Sequence, residues 1–178
     1  MQMLTSKAMY YRKAKQISFN PKERDKKSCV KYIVIHNTGN VGDTAKNNVD
    51  YFAMGNEREA GAHFFVDQKG LIGRSIPMNL TAYAVGDNSK GELKNIVSNY
   101  NSVSIELCDI VTKEPSEAMV KSVRNLIAYI QKYCPNAKTL VRHYDVTAKA
   151  CPKAMVDNDK WGKFLNRIGY VLVGVDKK

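Results

Sequence analysis

Three side chains have the types and places to hold a metal ion. His36 and His143 each end a stretch that reads as a β-strand, and ligands in α/β sheets collect outside the carboxyl ends of strands. Cys151 follows His143 across Tyr144-Asp-Val-Thr-Ala-Lys-Ala150, a loop long enough to return its sulfur to the histidine. Two imidazoles and a thiolate suit zinc, and three protein ligands leave the fourth tetrahedral position open, as in a catalytic site. Cysteine and histidine are also ordinary core residues, so spacing alone leaves both readings standing. A fourth group is Glu106, placed mid-strand among small residues.

The elements that must carry these groups are legible from periodicity. Lys31-Tyr-Ile-Val-Ile-His36 is a continuous β-branched run, expected of a strand covered on both faces. Thr44 to Met54 has helical spacing and stops at Gly55. Ala62 to Val66 and Leu71 to Ile76, joined by Asp67-Gln-Lys-Gly70, predict a hairpin. In Ser102 to Cys108, alternation sets Val103, Ile105 and Leu107 on one face and Ser104, Glu106 and Cys108 on the other. Pro115 to Cys134 predicts the longest helix, Thr139 to His143 a short strand, and Asp159 to Tyr170 a closing helix. Residues 1 to 28 predict a polar lead-in wrapped on the surface. Strands alternating with helices give an α/β fold, a mixed β-sheet flanked by α-helices.

A chain of 178 residues, 44% hydrophobic and 25% charged, fits a single soluble domain with its core at about residues 29–170. Its apolar runs fall short of the ~18 residues of a membrane span, which excludes insertion. Lys7, Arg12, Lys13 and Lys15 interrupt the stretch where a secretion signal would be apolar, so a cytoplasmic location before release is expected. With 28 Lys and Arg against 17 Asp and Glu, the net charge of +11 favours a polyanionic partner. No aromatic-basic interleaving or helix-turn-helix spacing accompanies it, so nucleic acid is not expected. Cys29, Cys108 and Cys134 lack any pairing pattern and suit small buried positions. A monomer is expected.

Four blocks then carry a resemblance: Tyr32-Ile-Val-Ile-His-Asn-Thr38, Gly61-Ala-His-Phe-Phe-Val-Asp67, Asn101-Ser-Val-Ser-Ile-Glu-Leu-Cys108, and His143-Tyr-Asp145 with Lys149-Ala-Cys-Pro152. In order and spacing they resemble the type 2 N-acetylmuramoyl-L-alanine amidases, a family that includes phage endolysins, bacterial autolysins and peptidoglycan recognition proteins. The resemblance implies one zinc ion on His36, His143 and Cys151, with the amide between N-acetylmuramic acid and L-alanine in peptidoglycan as substrate. It also implies an endolysin or autolysin that lyses cell walls, and a wall-binding module following residue 178, as many members have. Anionic wall polymers are the polyanion it suggests.

By the same resemblance Glu106 is the general base, because Ala62 stands where other members place a catalytic tyrosine, and Lys149 lies beside the metal to stabilise an oxyanion. Each has a competitor: Glu106 as a structural carboxylate paired with Lys149 or Arg142, and Lys149 as a solvated loop residue. His63 is either a packing or a substrate-side residue. Tyr83 and Asp87 either line the cleft or scaffold their loop. In Tyr83-Ala-Val-Gly-Asp87, Ala84 stands where close relatives often carry histidine.

Overall fold

A computed structural model describes residues 4–14, 21–24, 27–55, 60–86 and 90–170. The β-branched run becomes strand β2 (Tyr32–Asn37), preceded by a two-residue edge strand β1 (Tyr10–Tyr11). The hairpin forms as β3 (Phe64–Val66) and β4 (Ile72–Arg74), and the alternating segment as β5 (Ser102–Leu107). Thr139–Arg142 is β6. The six strands lie in the order β1-β4-β3-β5-β2-β6, all neighbours parallel except the β3/β4 hairpin. The expected mixed sheet is therefore the one observed.

Helix α1 (Ala45–Ala53) starts at Thr44, whose hydroxyl accepts the Asn47 amide, and α2 (Glu117–Tyr133) starts at Ser116, which accepts the Met119 amide. Helix α4 (Asn158–Arg167) is capped by Asp157. Ile33, Ile35, Val103, Ile105 and Leu107 fill one face of the sheet, packed with Met119, Val123, Leu126 and Ile130 of α2 and Trp161, Phe164 and Leu165 of α4. Such packing excludes water from that face and holds the middle strands rigid.

The opposite face is covered in pieces. Val34 and Val141 meet Val85, Leu93, Val97 and Val146, while Phe65 and Cys108 meet Ala45 and Val49 of α1. His36 and Glu106 belong to this face, and the gap between its two apolar clusters is where the site opens. Among the described residues, no helix is long and apolar enough to cross a membrane.

Two sequence readings are corrected. His143 does not end β6 but starts a five-residue helix, α3 (His143–Thr147), because the Asp145 carboxylate caps the Arg142 amide at 2.7 Å and bends the chain there. The lead-in is also more than a surface wrap. Met9 joins the core, Tyr10 donates to Asp50, and Arg24 is only 6% exposed. The tail from residue 171 lies outside the described residues.

Candidate metal centre and active site

The register of the central strands builds the site first. In the parallel β2/β5 pair, His36 stands opposite Glu106, so the two side chains share a face at the carboxyl end of the sheet. β6 lies on the other side of β2, and α3 begins where β6 stops. That places His143 beside His36, with ring centroids 4.5 Å apart.

Cys151 reaches them through a short reversal. Ala148 takes the left-handed conformation (φ 59°) that ends α3, its amide donating to the Tyr144 carbonyl. The Tyr144 amide then donates to the Cys151 carbonyl at 2.7 Å. The sulfur lies 4.0 Å from His36 Nδ1 and accepts the Asn37 amide at 3.4 Å. Asn37 Oδ1 accepts the Lys153 amide, which pins the segment just after the cysteine.

One potential ligand atom from each of His36, His143 and Cys151 lies within 4.8 Å of the others, and all three residues are buried. Ligand atoms about 2.0–2.3 Å from a shared tetrahedral ion stand on the order of 3.5 Å apart, so small side-chain adjustments suffice. The Nε2 atoms of His36 and His143 are buried without hydrogen-bond partners. Burial holds the His36 pKa well below its ordinary value and draws His143 down to about 4, with His143 and Lys149 adding to the effect on His36 and Lys149 to that on His143. Both imidazoles are therefore neutral and offer lone pairs. Burial, with the Glu106 charge, pushes the Cys151 thiol up to about 12, a cost that a cation would reverse. Neutral imidazoles with orphaned nitrogens and a thiol within 4.8 Å of them are a donor set that fits a zinc ion.

The three open into a cavity of about 560 Å³ that Glu106 and Lys149 also line. Glu106 is half-buried, and its Oε2 is sealed without a hydrogen-bond partner. Burial and the Asp43 charge push its pKa up to about 8, against a smaller lowering by Lys149. The proposed pairing with Arg142 is absent, because Arg142 holds Asp145 at 2.6 Å and the carbonyls of Met155 and Val156. No ion pair joins Glu106 to Lys149 among the described residues. Lys149 itself is exposed at the rim.

Tyr83 and Ala84 line the cavity, whereas Asp87 lies outside the described residues. His63 is not in the cavity wall. It is fully buried, its Nδ1 accepting the Ser104 amide at 3.0 Å and its Nε2 meeting the Leu80 carbonyl at 3.1 Å. Those partners fix one tautomer, with the proton on Nε2. Burial and the nearby Arg24 guanidinium hold its pKa at about 3.

One wall escaped the sequence reading. Asn47, Asn48, Tyr51 and Phe52 of α1, with Asn40 and Asp43 before it, face the cavity. The signal was present: Asn47/Tyr51 and Asn48/Phe52 are i,i+4 pairs beside the buried stripe of Ala45, Val49 and Ala53.

Comparison with known proteins places the chain in a family. Residues 25–154 match the family described as N-acetylmuramoyl-L-alanine amidase. The N-acetylmuramoyl-L-alanine amidase CwlL of Bacillus licheniformis is 33% identical over 151 residues, 80% of this chain but 42% of that relative, so the chain spans less than half the relative's length. The solved structure of PlyL superposes with a TM-score of 0.67 at 24% identity, covering 90% of this chain and 97% of PlyL, which shows the common fold. A mutant endolysin from Bacillus subtilis superposes with a TM-score of 0.64 at 25% identity, covering 90% of this chain and 100% of its own. The sequence match across most of the domain, on the fold shared with these structures, shows that this chain belongs to the N-acetylmuramoyl-L-alanine amidase family.

Proposed function

We propose that this chain hydrolyses the amide between N-acetylmuramic acid and L-alanine in bacterial peptidoglycan, with one zinc ion held by His36, His143 and Cys151. The observation that carries the reading is the convergence of those three buried ligands with Glu106 in one open cavity. Family membership supports the substrate class.

Zinc bound there would supply a Lewis acid for the amide carbonyl and would acidify water. The chain's own groups do the rest. Glu106, in its ionised form, accepts a proton from the attacking water and returns one to the departing amine, and burial, which favours the protonated form, suits it to the second step. Lys149, at the rim, opposes the negative charge that develops on the carbonyl oxygen. The Asn37 amide orients the sulfur, and the neutral imidazoles add no competing positive charge. Tyr83 contributes to the substrate-side wall, and Asp87, four residues on, is proposed for the same side. His63 supports that wall from behind.

At the level of the molecule, the proposal is a monomeric catalytic domain of an endolysin or autolysin, joined to a wall-binding module in a longer parent and held in the host cytoplasm until release. Its +11 charge favours adsorption to anionic wall polymers. The direct test is product analysis on purified walls. New amino-terminal alanine without new reducing sugar ends is expected; reducing ends, or other new amino termini, would contradict the assignment.

A further inference from the structure

The cavity wall that carries Tyr83 has no sheet or helix to hold it. Among the described residues from 75 to 101 there is no regular element, apart from an isolated bridge between Glu23 and Leu80. Thr81, Ala82 and Val85 are buried, while Tyr83 and Ala84 between them are half-exposed toward the cavity. The backbone amides of such a wall must find partners outside any ladder. Two consecutive ones find the same atom: Asn99 Oδ1 accepts the Val85 amide at 2.8 Å and shares the Ala84 amide, at 3.1 Å, with the Ala82 carbonyl at 2.9 Å.

Asn99 is in turn held by Arg24. The buried guanidinium donates to the carbonyls of Asn99 at 3.0 Å, Met78 at 2.7 Å and Ser102. Met78 lies just before the wall, and Ser102 opens β5, the strand that bears Glu106. The planar fork of the guanidinium joins these segments in one fixed geometry. His63 makes a second tie between the same two regions, from Ser104 to Leu80.

We infer that Asn99, anchored by Arg24, is a positioning residue for substrate binding: it sets the distance between the Tyr83–Ala84 wall and the β5 strand that bears Glu106. The inference rests on the amidase reading. Among the described residues no hydrogen bond joins Asn99 to Glu106, Lys149 or the His36–His143–Cys151 cluster, so its loss acts on affinity while the reacting groups stay in place.

The test compares Asn99→Ala with Asn99→Asp on zinc-loaded chain, using a soluble muropeptide and amide hydrogen exchange. Loss of two neutral hydrogen bonds should raise KM about tenfold in Asn99→Ala and leave kcat within about twofold. Exchange protection should fall in the same variant, most at Val85 and less at Ala84, whose amide keeps the Ala82 carbonyl. Asn99→Asp, which keeps an acceptor oxygen at the Oδ1 position, should restore protection and bring KM to within about threefold of the parent. If Asn99→Ala does not fold, Asn99→Ser takes its place with an expected KM rise of about threefold. An unchanged KM in the folded variant, or failure of Asn99→Asp to rescue it, overturns the inference. If the parent chain cleaves no muropeptide, the amidase reading fails instead, and protection at the two amides alone decides the positioning role: equal protection in parent and variant overturns it.

Discussion

Glu106 is the residue on which the chemistry turns. It stands opposite His36 in the register, has no ion-pair partner among the described residues, and carries a pKa raised by burial and by Asp43. Replacing it with Gln keeps shape and removes the proton acceptor, so kcat should fall roughly 10² to 10⁴-fold with zinc content unchanged, as measured on one metal-loaded preparation. A structural carboxylate would leave turnover per folded molecule near normal. The raised pKa also fixes the sign of a stability effect in metal-free chain. Between the ordinary value of 4.5 and about 8 the unfolded chain has lost the Glu106 proton while the folded chain retains it. Glu106 therefore lowers stability progressively as pH rises through that window. The melting temperature of Glu106→Gln minus that of the parent should grow from pH 4.5 to pH 8; a flat difference would place the carboxyl in a solvated environment.

Elements position the ligands through close backbone approaches. Gly91 lies against α3, its amide donating to the Val146 carbonyl at 3.1 Å, and a Cβ there would collide with the Asp145 carbonyl oxygen. Gly91→Ala should push α3 and His143 away from His36. A loss of about 1–3 kcal/mol is expected, read as a lowered melting temperature together with weaker zinc retention in dialysis. An unchanged melting temperature and full retention would mean that the segment yields without moving α3. The long periodic elements were legible in the sequence: α2 by its three- and four-residue steps, β2 by its β-branched run and β5 by alternation. Helix α3 was not, since five residues are too few to display a period. Arg24 was hidden because it sits in Lys22-Glu-Arg-Asp-Lys-Lys27, and a dense charge run reads as solvated surface. Its acceptors are main-chain carbonyls, which no side-chain pattern announces. The clustering of His36, His143 and Cys151 was legible because two of them end or follow strands and the third returns across a short loop. The α1 wall was not, because its polar pairs look like any solvent face until the cavity is seen.

Across the whole molecule, the excess of 28 basic over 17 acidic residues acts at long range. Adsorption to anionic walls through many weak contacts should weaken as the Debye length falls from about 10 Å at 0.1 M to about 3 Å at 1 M salt. Wall lysis should then slow in high salt while cleavage of a soluble muropeptide persists; equal slowing of both would locate the effect in the cavity. The fold brings His36, His143 and Cys151 together beneath that cavity, with burial holding both imidazoles neutral and the thiol protonated until a cation offsets that cost. The most direct test of the account is therefore a titration of zinc into metal-free chain, following release of amino-terminal alanine from purified walls. Activity should rise from baseline and saturate at about one zinc per chain, with Cys151→Ala showing no such saturation. Full activity in the metal-free chain, or an undiminished response in Cys151→Ala, would contradict it.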